Sequence, residues 1–202
     1  MTLRHLGRSA CGELARAMDY EWLVTNGIGG FASGTVCEIN TRRYHGLLIA
    51  SLAPPVSRTL MVAAMDVTVR YASIEYPLAT HEFGDGTVVP HGYVHLESFH
   101  LDHGMPVWRY AMADAVLEKR LLMRPGYNTT HVSLQILRAS EPLHLALTPL
   151  CTYRDYHRHG HGGWHPGLRE IPNSCGIFDA EPPFAARRCF AQAWSVAEVL
   201  RA

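Results

Sequence analysis

Apolar and polar residues alternate along several short segments of this chain, and this period of two constrains its fold more than any other feature. A strand with one buried face needs such alternation. It is found at 65–70, 94–97, 132–136 and 143–148, and further apolar runs between Pro or Gly turn signals lie at 46–52, 107–112 and 116–123. Strands in series with short turns and no intervening helices pair antiparallel. The sequence therefore predicts a mainly β fold, an antiparallel β-sandwich over about 20–150.

The composition of the chain indicates what kind of partner it binds and which cellular compartment it occupies. Lys plus Arg and Asp plus Glu each number 18, which argues against a nucleic-acid partner and favours an uncharged one. The five cysteines form no CxxC pair and are odd in number, which favours a reducing cytoplasm over a disulfide framework or a zinc ribbon. No apolar run reaches the ~18 residues of a membrane span, so we expect a soluble protein with no membrane partner.

A glycine-rich segment, 21–35, and the segment 40–48 that follows it carry the most specific pattern. The glycine spacing matches neither GxGxxG nor GxxxxGK[ST], so we expect no nucleotide and no other cofactor. Planar donors beside aromatic faces suit sugar hydroxyls and pyranose rings, but the same side chains can cross-link a loop to its own carbonyls. The candidate substrate-binding residues, with that structural role as the alternative, are Trp22, Asn26, Arg42, Arg43, Tyr44 and His45.

The order of these and later blocks resembles the amino-terminal domain of bacterial and archaeal glycogen debranching enzymes. The resemblance rests on TNGIGGFASGT (25–35), NTRRYHGLL (40–48), PVWRY (106–110), LEKR (117–120), NTT (128–130) and LTPLCTYRDYH (147–157). It implies a large antiparallel β-sandwich over 20–156, preceded by an N-terminal extension, 1–19. It also implies a glucan context, since in that family the domain precedes an (α/α)-barrel of glucoamylase type, an amylo-α-1,6-glucosidase that hydrolyses the glucose left at a branch stub.

The carboxyl end is similar to the last stretch of that catalytic barrel. The similar segments lie within 167–202, after a Gly- and His-rich junction, 157–166. Phe190, Ala193, Trp194, Ala197 and Leu200 have helical spacing, which predicts a short C-terminal helix beginning near Arg187. Since about ten residues separate the two similar regions, most of the barrel is expected to be absent, as in an internally deleted debranching enzyme.

Glu170 matches the position that the resemblance assigns to the barrel's general base. Glycoside hydrolysis needs two carboxyl groups, one protonated to assist the leaving oxygen and one to activate water. The acid partner would belong to the missing part of the barrel, so we expect no useful 1,6-glucosidase activity from this chain alone. The alternative interpretation of Glu170 is a solvated surface acid.

A histidine-rich stretch and a tyrosine-rich stretch adjoin each other near the junction. The histidines at 157, 159, 161 and 165 could bind zinc, but their Gly-rich setting favours adventitious binding, and we predict no metal site. Tyr153, Asp155 and Tyr156 just before them either face sugar or form an ordinary strand end.

These observations leave three hypotheses on function. The first is a non-catalytic accessory domain that positions α-glucan or glycogen and packs against a glucosidase barrel absent here. The second is a reduced but active glycoside hydrolase. The third is a structural scaffold without glucan affinity, which could form a homodimer through the surface where a barrel would dock. Whether the chain is itself an enzyme stays open.

Overall fold

The computed structural model describes residues 5–158 in full and the backbone of three further strands, 166–171, 174–179 and 186–192. The chain divides into two compact units, Met1–His159 and Gly160–Ala202. None of the helices in the described part of the chain has the length and apolar character needed to span a membrane.

Over residues 5–158, the first unit contains two short α-helices, twelve strands and one 3₁₀-helix, Gly92–His95. The helices are α1 (Arg8–Cys11) and α2 (Leu14–Asp19). The strands are β1 (Glu21–Thr25), β2 (Phe31–Thr35), β3 (Gly46–Ala53), β4 (Val56–Tyr71), β5 (Ile74–Pro77), β6 (Thr80–Glu82), β7 (Val88–His91), β8 (Leu96–Asp102), β9 (Met105–Met112), β10 (Ala115–Met123), β11 (Thr130–Arg138) and β12 (His144–Asp155).

Two antiparallel sheets dominate this unit. One has the order β1-β2-β3-β4-β12, with β5 added beside the end of β4, and the other has the order β11-β10-β9-β8. A separate hairpin joins β6 and β7. Most paired strands are neighbours in sequence, β4 also pairs with β12, and all of these pairs are antiparallel. The mainly β, antiparallel fold predicted from the alternating segments is therefore confirmed.

Two tryptophans join the sheets in the core. The ring of Trp108 in β9 is fully buried and meets the ring of Trp22 in β1 edge to face, with centroids 5.3 Å apart. The indole N–H of Trp108 donates to the carbonyl of Val36, 2.9 Å away. Because a buried indole needs a partner for its N–H, this hydrogen bond fixes the ring as well as filling space.

A charged group also lies in this core. Lys119, in β10, is 1% exposed and forms an ion pair with Glu38, whose other oxygen accepts a hydrogen bond of 2.9 Å from the hydroxyl of Tyr110. Burial, and next the nearby Glu38 carboxylate, raise the pKa of Tyr110 well above its usual value, so the phenol stays protonated and donates. Burial of the lysine is thus matched by an opposite charge.

The residues before β1 cover one side of the sandwich. Leu6 forms an isolated antiparallel bridge with Phe99, and Ala17 of α2 packs, fully buried, against Cys37 and Ile39. Cys11 in α1 is also fully buried, and burial raises the pKa of its thiol to about 11. The segment predicted only as an N-terminal extension therefore contributes two helices and part of the core.

The second unit contains a three-stranded antiparallel sheet, β13 (Pro166–Ile171), β14 (Ser174–Asp179) and β15 (Ala186–Gln192). The predicted C-terminal helix is wrong over 187–192, where the backbone is β15 and pairs with β14. An isolated helix of this length is marginal, whereas pairing with β14 satisfies the backbone groups that the two strands turn toward each other. Residues 193–202, where the rest of that helix was predicted, lie outside the described residues.

Candidate functional site

The loop between β2 and β3 contacts the end of β12. Three aromatic side chains lie where these two segments meet. The hydroxyl of Tyr44 is 3.2 Å from Nδ1 of His157. The ring of Tyr156 lies 5.4 Å from that of Tyr44 and 3.9 Å from that of His157, centroid to centroid. We call Tyr44, Tyr156 and His157 the aromatic cluster.

Two arginines flank the aromatic cluster, one beside the ring of Tyr156 and the other beside the ring of Tyr44. The guanidinium of Arg58, from β4, lies 5.5 Å from the centre of the Tyr156 ring and donates to the Tyr156 hydroxyl at 3.2 Å. That of Arg43 lies 5.9 Å from the centre of the Tyr44 ring and donates to the carbonyl oxygen of His157 at 2.9 Å. Both positions suit attraction between a cation and an aromatic ring.

Arg154 fixes the backbone beneath the cluster. One of its terminal nitrogens donates to the carbonyl of Arg43 at 2.8 Å, and the other donates to carbonyls after β12, including that of Arg158. The turn is closed by the backbone N–H of His157, which donates to a carboxylate oxygen of Asp155 at 2.9 Å. These bonds hold the loop of Tyr44 against the segment of Tyr156.

The aromatic cluster is accessible from solvent. Tyr44 is 38% exposed, His157 is exposed and Tyr156 is half-buried. Aromatic ring faces can contact the apolar faces of a pyranose, and the guanidinium, phenol and imidazole groups can bind its hydroxyls. The cluster therefore presents the kinds of group that sugar-binding sites use.

Two more of the predicted residues, Arg42 and His45, meet at one carboxylate instead of joining the cluster. Arg42 donates from Nε to Glu21 at 2.6 Å, and Nε2 of His45 lies 3.5 Å from the same oxygen. His45 is buried, and its Nδ1 has no hydrogen-bond partner among the described residues. Burial lowers the pKa of His45, with Arg42 adding to the effect and Glu21 opposing it.

Trp22 and Asn26, the remaining predicted residues of the loop segment, lie inside the domain. Trp22 is 5% exposed and its indole N–H donates to the carbonyl of Thr35. Asn26 is 1% exposed; its oxygen accepts from the N–H groups of Ile28 and Gly30, and its amide donates to Asn128 and to the carbonyl of Tyr127. This geometry favours the structural alternative for both residues.

The structure brings Arg43, Tyr44 and Tyr156 together, but several other predicted positions are not described. The side chain of Glu170 lies outside the described residues, as do His159, His161 and His165. Within the described part of the chain, no group of three His, Cys, Asp or Glu side chains is placed to hold a metal ion.

Sequence reasoning did not single out Arg58, or the pair of Arg124 and Tyr127, whose guanidinium and ring lie 3.9 Å apart. Arg58 follows the Pro54-Pro55 turn near the start of β4, and its Nε donates to the carbonyl of Gly29 at 2.7 Å. No short-range pattern signals such a contact. The one feature of the sequence that could have pointed to Arg58 is its position close to a turn that joins two apolar runs.

A comparison with known families gives one match to the sequence of this chain. The family model described as glycogen debranching enzyme N terminal matches residues 20–182. This chain belongs to that family. No curated protein and no solved structure gives a match. All the residues of the aromatic cluster and the arginines around it lie within the matched range of this debranching-enzyme domain.

The family match extends beyond 156, where the sandwich domain was predicted to end. It includes the junction, 157–166, and the strands β13 and β14 of the second unit. The assignment of 167–202 to a remnant of the catalytic barrel stays a prediction.

Proposed function

We propose that this debranching-enzyme domain is an accessory domain that positions α-glucan, while the hydrolysis of α-1,6-linked glucose belongs to a catalytic barrel. The observation that supports this proposal is the aromatic cluster with its flanking arginines. It combines accessible ring faces with hydrogen-bond donors, and it is built by two segments that both lie within the family match.

The cluster is suited to binding rather than to hydrolysis. Glycosidases use two carboxyl groups on either side of the scissile bond. Among the described residues that build the cluster, Asp155 supplies the one carboxylate, and one of its oxygens accepts the backbone N–H of His157. A single carboxylate engaged in closing a turn offers neither an acid–base pair nor a nucleophile with its acid. This supports an accessory role over the alternative of a reduced but active hydrolase.

A structural scaffold without glucan affinity is the second candidate. It is favoured by the number of predicted binding groups that satisfy internal partners, such as the buried amide of Asn26 and the guanidinium of Arg154. In that case the aromatic cluster would only fasten the loop of Tyr44 to the end of β12. Glucan binding separates the two candidates, since both predict the same fold.

We also propose a cytoplasmic location, a catalytic barrel as the partner and, under the scaffold alternative, a homodimer. The buried cysteines Cys11 and Cys37 are not joined in a disulfide, which supports a reducing compartment. Membership of the family supports a partner barrel, whether on the same chain or a separate one.

The test is electrophoresis of the folded chain in native gels with and without glycogen. We expect glycogen to retard the wild type and Tyr44→Ala to lose most of that retardation. The matched control is Tyr76→Ala, because Tyr76 also packs against a histidine, His95, at 5.4 Å. Tyr76 pairs with Val69, eleven residues along β4 from Arg58, or about 35 Å away along the strand. Equal mobility of the wild type with and without glycogen would favour the scaffold.

A further inference from the structure

In the part of the chain that the structure describes, the arginines around the aromatic cluster carry positive charge that no carboxylate neutralises. Among the described residues, Arg43, Arg58 and Arg154 form no ion pair and donate instead to backbone carbonyls and a phenol. The arginines of the second sheet differ, since Arg109 and Arg120 both pair with the carboxylate of Glu118.

This excess of charge is local. Over the whole chain, positive and negative side chains are equal in number, with a formal net charge of zero. Near the cluster, Asp155 is the carboxylate brought in by the turn, and it accepts a backbone N–H rather than a guanidinium. A cation held over an aromatic ring is only partly compensated by the ring, so the cluster keeps a net attraction for an anion.

Donors also remain for a ligand. Each guanidinium has five N–H groups. Arg43 uses one terminal nitrogen, toward His157, and the described residues offer no partner to its Nε or its other terminal nitrogen. In Arg58, Nε and one terminal nitrogen are used and the second terminal nitrogen is not. Planar guanidinium forks of this kind match the oxygens of a phosphate better than they match single sugar hydroxyls.

We propose that the aromatic cluster binds a sugar that carries a phosphate monoester, with the rings contacting the pyranose and Arg43 and Arg58 contacting the phosphate. The proposal rests on the proposed function, because it uses the same cluster, and it specifies the ligand as anionic. The phosphate could be borne by a small sugar phosphate or by a phosphorylated glucan chain, and both present the same chemistry to the arginines.

Isothermal titration calorimetry of the full chain tests this. The probes are glucose 6-phosphate, glucose, inorganic phosphate and a maltooligosaccharide with and without a phosphate at C6. We expect each phosphorylated sugar to bind at least about tenfold more tightly than its neutral counterpart, the gain of one or more charge-assisted hydrogen bonds. Affinity should fall as salt is raised, since the site is partly exposed.

Arg43→Gln and Arg58→Gln should each lower the affinity for glucose 6-phosphate about tenfold, a clearly larger factor than either variant's loss of affinity for glucose. The matched control is Arg138→Gln, because Arg138 likewise donates to a backbone carbonyl, that of Asp114, far from the cluster. Arg43 is exposed, so its variant keeps the test valid even if Arg58→Gln, which loses a bond to Gly29, unfolds.

Two results would overturn the proposal. One is equal affinity for glucose 6-phosphate and glucose; retardation by glycogen in the same preparation would then leave the proposed function standing. The other is inorganic phosphate binding as tightly as glucose 6-phosphate, which would show an anion site that does not recognise sugar. Tighter binding of the phosphorylated oligosaccharide than of glucose 6-phosphate would identify a glucan chain as the source of the phosphate, and the reverse order a small metabolite.

Discussion

The hydroxyl of Tyr44 lies 3.2 Å from Nδ1 of His157 although 113 positions separate the two residues in the chain. This contact joins the loop after β2 to the end of β12, the last strand of the first sheet. Because the hydroxyl of Tyr44 makes this contact, variants at Tyr44 can separate the role of its ring from the role of its hydroxyl in the proposed glucan binding.

Tyr44→Phe should keep most of the glycogen retardation, whereas Tyr44→Ala should lose it. The phenylalanine retains the ring face and gives up only the contact with His157, while alanine removes the face. We expect affinity to fall about fivefold or more in the alanine variant, since a ring contact contributes about 1 kcal/mol. Affinity electrophoresis over a series of glycogen concentrations measures this. Equal losses in both variants would show that the hydroxyl, not the ring, is the essential group.

Asn26→Ala is expected to destabilise the fold by about 2–4 kcal/mol. It removes the acceptor of two backbone N–H groups, those of Ile28 and Gly30, and leaves them without a partner inside the protein. Urea unfolding followed by tryptophan fluorescence gives the free energy. Asn40→Ala is the matched control, because Asn40 is exposed and makes one hydrogen bond, to the carbonyl of Ala63. A loss no larger for Asn26 than for Asn40 would contradict the structural role of Asn26.

Asn26 also shows why sequence alone left two roles open for the loop segment. An amide that binds a sugar and an amide that cross-links loops have the same donors and acceptors. The partner that separates the roles is Asn128, 102 positions away, and no local pattern connects the two. The same holds for Arg58, which contacts Tyr156 across 98 positions.

The sheets were predictable because alternation is a local signal of burial. In β4, the segment 65–70 places Val67 and Val69 in the core, and β12 pairs with it in a register that sets Leu147 opposite Val67. Helices α1 and α2 gave no such signal, because four- and six-residue helices depend on packing for their stability rather than on sequence period.

Gly92→Ala should prevent stable folding or cost about 3 kcal/mol or more. A Cβ at Gly92 would lie 2.0 Å from the carbonyl oxygen of Leu78, and backbone atoms cannot move aside as a flexible side chain can. Gly84→Ala is the control, since a Cβ there meets nothing within 4 Å. Thermal unfolding of both variants is the measurement, and a Gly92→Ala protein as stable as Gly84→Ala would refute the close approach.

Lys119→Met should destabilise the sandwich by about 3 kcal/mol, since it leaves Glu38 without its cation at the edge of the core. The double variant Glu38→Gln, Lys119→Met should recover part of that loss, because it removes the stranded charge as well. Chemical unfolding of the wild type, both single variants and the double variant completes the cycle. A loss in the double variant equal to the sum of the losses in the two single variants would mean that the two side chains are not coupled in the folded protein.

The lowered pKa of His45 predicts how the stability of the domain changes with pH. Burial holds this pKa below the ordinary histidine value of 6.5, so the folded protein binds this proton less readily than the unfolded chain does. The neutral imidazole therefore contributes stability that is fully present above about pH 6.5 and is lost as the pH falls toward the lowered folded value. The pKa values of His95 and His100 are lowered as well, chiefly by burial, and act in the same direction.

His45→Gln should therefore flatten the decline of unfolding free energy below pH 6.5 without abolishing it. One titrating group accounts for at most about 1.4 kcal/mol per pH unit. Glu21→Gln should act in the opposite sense, because the Glu21 carboxylate raises the pKa of His45 and its removal lets that pKa fall further. Urea unfolding at intervals between pH 5 and 8 measures both slopes. A steeper decline in His45→Gln than in the wild type would show that His45 is charged, not neutral, in the folded domain.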